Sequence, residues 1–394
     1  MKVLWLASWY PNPYEPFNGD FIQRHAESVS NFLPVDVIHV LQLGSNTKIE
    51  NAQIIINKKN NLTEYIHIFP FHSCGITFID KVRYNFIYKR YYKRVIKEYF
   101  QKNGKPPLIH VHVPMKAGML ALYALKKFNI PYIVSEQASH YETAAPDNFF
   151  KRSRFFRRNT KKIFQSAAAV TNVSETIGKK LQDFFDIKDV KTIYNLVNTS
   201  LFFYQPKNET NKFRFIHVSS LTDQKNPKGI IRALALFKNC RTDWECVICG
   251  PASEELIMFT EEIGLKNEIR FTGEISYSHV ADEMKKADAF ILFSNHENLP
   301  CVIIEALCCG LPVISTNVGG IPEIINESNG ILINNEDDDA LCNAMKQLYS
   351  NHKSYNRKAI AKNAQEKFSY TTIGKQITEA YNKIIFSNSE TQVK

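Results

Sequence analysis

Short apolar runs recur along the chain, each followed by a polar loop and then by apolar residues at helical spacing. Residues 2–8 (KVLWLAS) are apolar without alternation, as a buried parallel strand would be. Residues 9–20 hold Pro, Asn and Gly and read as a loop. The next stretch, FIQRHAESVSNFL, puts Phe21, Ile22, Ala26, Val29 and Phe32 in a helical pattern, and residues 35–41 (VDVIHVL) return to strand. The order continues with strands at 108–113, 132–135, 167–173 and 191–194, and helices at 115–128 and 175–185. Residues 50–80 carry β-like pieces (AQIIIN, YIHIF) that resist assignment. A second series follows, with strands at 214–219, 244–248, 269–271, 289–293 and 312–316, and helices at 229–239 and 277–287. Strand, loop and helix in both halves predict an α/β fold of two doubly wound domains in tandem.

The polar segment 204–212 (YQPKNETNK) is the natural linker, giving domains over 1–204 and 205–367. Residues 368–386 place apolar side chains at 373, 377, 381, 384 and 385, an amphipathic helix, and the tail beyond is expected to be unstructured. A length of 394 residues suits two domains.

Charge sharpens the division. The net charge of +10 is uneven: residues 1–200 hold 28 Lys and Arg against 15 Asp and Glu, and the remainder 21 against 24. An anionic partner is therefore expected on the first half. Seven basic residues interleave with seven aromatics over 81–100, and seven more basic residues lie between 151 and 162 within the stretch 149–164. Three readings compete: a solvated helix face with its aromatics in the core, adsorption to an anionic membrane surface, and nucleic-acid binding. No nucleic-acid-binding module accompanies the charge, which argues against the third. No apolar run is long enough to span a membrane, and the N-terminus lacks the pattern of a signal peptide. Eight cysteines include a single CxxC at Cys246 and Cys249; without a second pair it reads as buried, reduced thiols, which fit a cytosolic compartment.

The chemistry concentrates in residues 296–323, HENLPCVIIEALCCGLPVISTNVGGIPE. Glu297 falls in the loop after a strand, and Glu305 inside the following helix. A helix starting near Leu299 offers free N–H groups to an anion such as a diphosphate, and a carboxylate accepts hydrogen bonds from vicinal hydroxyls. Lys225, in the loop after the first strand of the second half, suits a phosphate leaving group. In the first half, Gly19 precedes a helix, where close approach of a phosphate is possible and a plain turn is the alternative. His110 and His112 alternate on one strand face; His112 lies nearer the ligand-binding end, and a core histidine is the default for each. Glu136, Gln137 and His140 lie on a loop placed for substrate contact. Residues 337–339 (DDD) read as a charged run in a late loop, so no metal cluster is expected.

With these residues in view, the second half resembles the retaining glycosyltransferases of family 4, which have the GT-B fold. The resemblance rests on Glu297 and Glu305 at the family's E-x7-E spacing, on EALCCGLPVIST and GGIPEII, and on HVSSLTDQKNPKGIIRALA and IRFTGEIS. Looser matches in the first half are WYPNPYEPFNGDFIQRHA, LIHVHVP, YIVSEQASHY, AVTNVSETI and TIYNLVNTSLF. It implies a metal-independent transfer from a nucleotide-sugar co-substrate held by the second domain to a glycan or lipid-linked acceptor on the first, with retention and without a further cofactor. It also implies that the last helix crosses back to the first domain. By similarity Glu305 binds the donor ribose and Glu297 the donor sugar; Lys225, Asn298, Leu299 and Pro300 meet sugar and diphosphate, Gly19 the phosphates from across the cleft, and Ser220 and Gly250 line the donor side. His112, Gln137 and His140 are the acceptor-side candidates. The chain departs from the family twice: Ser219-Ser220-Leu221 replaces G-R-L, removing a phosphate cation, and Gln137 stands where a histidine is common. The expected setting is surface polysaccharide or glycolipid synthesis at the cytoplasmic membrane face. A nucleotide-sugar epimerase of the same fold and an inactive sugar-nucleotide-binding protein are the alternatives.

Overall fold

The computed structural model describes residues 2–44, 49–138, 141, 148–207 and 211–391, with side chains through Phe386. Eight strands form the first sheet: β1 (Val3–Ala7), β2 (Val35–Leu43), β3 (Gln53–Lys59), β4 (Leu62–Pro70), β5 (Ile109–His112), β6 (Tyr132–Glu136), β7 (Ala169–Asn172) and β8 (Val190–Thr192). Their order is β3-β4-β2-β1-β5-β6-β7-β8, parallel except for the β3–β4 hairpin. That hairpin resolves residues 50–80. Lys59 pairs with Leu62 across Asn60-Asn61, and Asn60 takes the positive φ (51°) that a two-residue hairpin turn asks of its first position. Helices α1 (Asp20–Ser30), α2 (Thr77–Asn103), α3 (Ala117–Phe128), α4 (Arg154–Gln165) and α5 (Glu175–Phe185) cover this sheet.

The second sheet holds β9 (Phe213–Val218), β10 (Trp244–Cys249), β11 (Ile269–Gly273), β12 (Ala289–Leu292), β13 (Val313–Thr316) and β14 (Gly330–Ile333), in the order β11-β10-β9-β12-β13-β14 and parallel throughout. Its helices are α6 (Pro227–Lys238), α7 (Glu254–Glu262), α8 (Tyr277–Lys286), α9 (Cys301–Cys308), α10 (Asp338–Asn351) and α11 (Arg357–Phe368). Both sheets are doubly wound. The winding reverses beside β1 in the first and beside β9 in the second, and such reversals open a crevice at the strands' C-terminal ends. Cys246 and Cys249 lie buried and unpaired in β10.

The last helix, α12 (Tyr370–Thr391), leaves the second sheet and packs on the first, as expected. Ile373, Ile377 and Tyr381 join Trp5, Ile22 and Ala26 in one core cluster. The Tyr381 hydroxyl is 2.5 Å from His110 Nδ1, and His110 Nε2 is 2.6 Å from Ser135 Oγ. Two expectations need correction. The tail expected to be unstructured continues α12 as far as Thr391. Residues 337–339 are not loop: Asp337 caps α10, accepting the Ala340 N–H at 2.8 Å, and Asp338 and Asp339 form its first turn, where carboxylates favour the positive end of the helix dipole.

The basic, aromatic stretch 81–100 falls within α2, and the structure divides its aromatics. Tyr88, Tyr92, Val95, Ile96, Tyr99 and Phe100 are buried, whereas Phe78, Val82 and Phe86 of the first turns face solvent, Phe78 with 78% of its surface exposed. The tyrosines bind the sheet by their hydroxyls. Tyr84, Tyr88 and Tyr92 donate to the carbonyls of Gln42, Val40 and Ile38 at 3.3, 3.2 and 3.2 Å. Tyr99 donates to Asp36 at 2.6 Å. Four residues of helix rise about 6 Å and two residues of strand about 6.6 Å, so the rungs stay in step along antiparallel axes.

Removing a rung tests this ladder. Tyr92→Phe keeps the ring and loses one hydrogen bond, at a cost of about 1 kcal/mol. Tyr92→Ala also opens a cavity and costs about 3–5 kcal/mol. Urea unfolding of the two variants measures the difference; equal losses would assign the residue's whole contribution to its hydroxyl.

Candidate active site

The loop after β12 is positioned from below. Ser315 Oγ donates to the Leu292 carbonyl (2.9 Å) and Thr316 Oγ1 to that of Ser294 (2.7 Å), both buried on β13. A second loop, after β9, braces it: Gln224 Nε2 donates to the His296 carbonyl, and the Asn295 N–H to the Gln224 carbonyl, each at 2.8 Å. This bracing brings Lys225 and Glu297 together as an ion pair, both largely buried.

The next residues form a seam between the two halves. Asn298 Oδ1 accepts the Ser174 hydroxyl at 2.8 Å, and the Leu299 carbonyl accepts Asn195 Nδ2 at 2.8 Å. The GGIPE segment completes the seam. Gly319 has φ +57°, and a Cβ there would fall 2.1 Å from the Glu297 carbonyl oxygen; one on Gly320 would fall 2.4 Å from Ser174 Cβ. Only glycine fits both places. Beyond them, Glu323 accepts the backbone N–H groups of Glu175 and Thr176 at 2.8 and 2.9 Å, supplying α5 with a carboxylate at its N-terminus.

Between the halves lies a pocket of about 340 Å³. It unites seven residues expected to act together: Ser220, Lys225, Glu297, Asn298, Leu299 and Pro300 from the second half, and Gln137 from the first. Helix α9 begins here at Pro300 without a side-chain cap, and Cys301 and Val302 line the wall. Asn298 Nδ2 is buried without a partner among the described residues, a donor available to a ligand.

The other expected residues stand outside the pocket lining. Glu305 is 3% exposed, beneath Tyr277, whose hydroxyl donates to it at 2.9 Å. Burial raises its carboxyl pKa, opposed by the Arg24 charge and the Tyr277 hydrogen bond. Gly19 caps α1 in the left-handed conformation and packs on the Trp9 backbone. Gly250 packs against the Ser219 carbonyl, behind the pocket wall. His112 stacks on Trp5 at 4.0 Å and reaches the pocket only through Gln137, 3.5 Å from its Nδ1. Burial and His110 lower its pKa. His140 falls outside the described residues.

The sequence reading missed Arg24. It pairs with Asp20 at 2.6 Å, four residues back on α1, and its guanidinium lies over the Tyr277 ring at 4.8 Å, beside Glu305 and Cys301. A positive charge from the first half thus stands at the second half's glutamate. The spacing of Asp20 and Arg24 was visible; that they face another domain was not.

A larger cavity, about 660 Å³, lies in the first half at the C-terminal ends of β1, β2, β5 and β6. The two spaces meet at consecutive residues: Glu136 lines the cavity and Gln137 the pocket. Burial raises the Glu136 carboxyl pKa to about 7, against hydrogen bonds from Tyr141 and from the backbone N–H groups of Ala138 and Gln137. Its folded pKa lies above the unfolded value, so folding takes up a proton between the two. Stability relative to Glu136→Gln should therefore fall as pH rises from about 4.5 to about 7, by on the order of 3 kcal/mol, and level off above. Unfolding of both proteins across that range measures it; parallel pH profiles would refute it.

Comparison with known proteins adds to this geometry. The family described as glycosyl transferases group 1 matches residues 200–367, and glycosyltransferase family 4 matches residues 34–201. TuaC of Bacillus subtilis, a glycosyltransferase named for teichuronic acid biosynthesis, is 26% identical over 88% of each chain. An uncharacterised glycosyltransferase of Methanocaldococcus jannaschii is 24% identical over 98% of this chain and 99% of its own. Among solved structures, sucrose-phosphate synthase of Thermosynechococcus elongatus superposes with a TM-score of 0.80 at 18% identity, covering 98% of this chain and all of the other. Anabaena HepE in complex with UDP-glucose does so with a TM-score of 0.69 at 18% identity, covering 97% and 100%. These likenesses establish the GT-B fold.

Proposed function

The chain belongs to the family 4 glycosyltransferases, and we propose that it moves a sugar, with retention of configuration and without a metal, from a nucleoside-diphosphate sugar to a glycan or lipid-linked acceptor. The observation that carries this reading is the pocket between the halves, where the Lys225–Glu297 pair, the uncapped start of α9 and Gln137 converge.

The donor diphosphate lies at the start of α9, its charge met by N–H groups, by Lys225 and, from across the cleft, by Arg24. Arg24 thereby fills the role of the cation absent from Ser219-Ser220-Leu221. Tyr277 and Glu305 take the nucleoside end, with Glu305 accepting the ribose hydroxyls. Glu297 holds the donor sugar. The bond from the anomeric carbon to the diphosphate breaks through an oxocarbenium-like transition state. The acceptor oxygen bonds to the same face, and its proton passes to the departing diphosphate. Closure of the halves excludes water and protects the donor from hydrolysis. A second cavity in the first half, lined by Glu136 where this pocket is lined by Gln137, favours transfer over epimerisation, which needs no acceptor.

The protein works at the cytoplasmic face of a membrane, in polysaccharide or glycolipid synthesis. Among the described residues no helix is long and apolar enough to cross a bilayer. Support for peripheral binding comes from exposed Phe78, Val82 and Phe86 on α2 and Phe155 on α4, flanked by exposed Lys81, Lys89, Arg90, Arg154 and Arg158. Each basic residue near an anionic surface contributes about 1 kcal/mol.

Two measurements test these readings. Glu297→Ala should abolish transfer of sugar from a panel of nucleotide sugars with the fold intact, and EDTA should leave wild-type turnover unchanged; near-normal turnover in the variant, or loss restored by Mg²⁺ or Mn²⁺, would overturn the assignment. Separately, the protein should co-sediment with anionic liposomes at low salt and release as salt rises, whereas absence from the low-salt pellet would remove the membrane reading.

A further inference from the structure

The first-half cavity carries more than its size. Its floor is made by strand ends, and its two walls are the two basic, aromatic segments: Tyr84 of α2 on one side, Phe149 and Phe156 on the other. Trp9, Leu41 and Met115 add apolar surface. Glu15, Glu136 and Arg152 also line this space, and three further polar groups in it stand out among the described residues. Gln42 is 5% exposed, and neither atom of its amide has a hydrogen-bond partner among the described residues. His39 is 2% exposed; its Nδ1 meets the Ala7 carbonyl at 3.0 Å, and its Nε2 has no partner.

The third is Lys116. It opens α3 with φ +67° and ψ −73°, a region that side-chain-bearing residues rarely occupy and that tends to mark functional sites. Its ammonium lies 5.3 Å from the Tyr88 ring and 5.8 Å from the Tyr84 ring and makes no ion pair among the described residues. Burial lowers its pKa, and the charge of Glu15, which also lines the cavity, acts against that. A lysine held between two aromatic faces, reachable from a cavity and without an ion pair among the described residues, can meet an anion from outside.

The apolar edge of the same wall says what the anion is attached to. Tyr84 faces the cavity, and two residues on Phe86 faces solvent, 65% exposed, in line with Val82 and Phe78 at four-residue spacing. Across the mouth, Phe149 and Phe156 face in while Phe150 and Phe155 face out. An uncharged glycan would use neither the unpaired cation nor the apolar rim. A phosphate carrying a hydrocarbon chain uses both.

We propose that the acceptor is a lipid-linked phosphate, its phosphate held by Lys116 inside this cavity and its chain leaving along the apolar edge of α2. This names the acceptor class for the transfer reaction proposed above and rests on that reading. His39 and Gln42 bind the anion's oxygens or the first sugar attached to it. The sugar then extends past Glu136 toward Gln137 and the donor.

Isothermal titration of the full chain with farnesyl phosphate, farnesol and inorganic phosphate tests the proposal without requiring turnover. Farnesyl phosphate should bind at least tenfold more tightly than either of the others. Lys116→Met should weaken it tenfold or more, Lys116→Arg should restore most of the loss, and Phe86→Ser should weaken farnesyl phosphate while leaving the response to inorganic phosphate unchanged. UDP and GDP titrations report the donor pocket separately, and whichever nucleotide the wild type binds should bind Lys116→Met equally; loss of nucleotide binding in Lys225→Met with farnesyl phosphate retained would separate the two sites. Wild-type affinity in Lys116→Met would overturn the proposal, as would inorganic phosphate competing as well as farnesyl phosphate, which would assign the cavity to a soluble anion. If Lys116→Met fails to fold, Phe86→Ser decides alone: unchanged farnesyl phosphate affinity in that variant would overturn the lipid.

Discussion

The cleft depends on a carboxylate that belongs to one half and completes a helix in the other. The first turn of any helix leaves N–H groups without partners, and those of α5 find theirs in Glu323, far along the chain. Ser174, which caps the same helix with its hydroxyl oxygen, donates its proton to Asn298. The halves are thus joined at this seam by directional polar contacts; Gly320 lets Ser174 come close enough to make them, and Gly319 lets its own segment lie against the Glu297 backbone. Because Asn298 adjoins Glu297, the contact that sets the closure of the cleft also sets the backbone that carries the central carboxylate. Polar seams of this kind break and reform at lower cost than an apolar face, which suits a cleft that must admit and release ligands.

Much of this architecture was legible in the residues. Runs such as KVLWLAS and VDVIHVL alternate so little that they read as buried parallel strands, and Glu175–Phe185 falls where its periodicity put it. The hairpin of β3 and β4 was harder, because β3, solvated on both faces, has no burial pattern to show. Residues 337–339 misled because three aspartates in a row look like a solvated loop, while the same residues are also what a helix N-terminus prefers. Helices α10 and α11 were passed over for want of any chemistry to draw attention to them.

At the site, the motif revealed one wall and hid the other. Glu297, Asn298 and Pro300 could be grouped because they are neighbours in the chain. Arg24 and Asn195 could not, since only the crossing of the two halves brings them there. Gly319 and Gly320, read only as part of the family motif, prove to be spacers, Gly319 against the Glu297 backbone and Gly320 against Ser174 across the interface. Glu305, expected to meet a ribose, sits buried under Tyr277 and Arg24, so a ligand reaching it would have to displace that roof.

The tyrosine ladder of α2 has a consequence of another kind. Its rungs at Tyr84, Tyr88 and Tyr92 end on main-chain carbonyls of β2, atoms that every amino acid supplies. Substitutions at positions 38, 40 and 42 therefore leave the register of helix on strand intact. The outward face of the helix is equally unconstrained by the ladder, since the rungs lie on its inward face. Descent with modification can rewrite what this edge recognises while inheriting its placement unchanged, and a lineage of such chains could diversify its substrates without refolding.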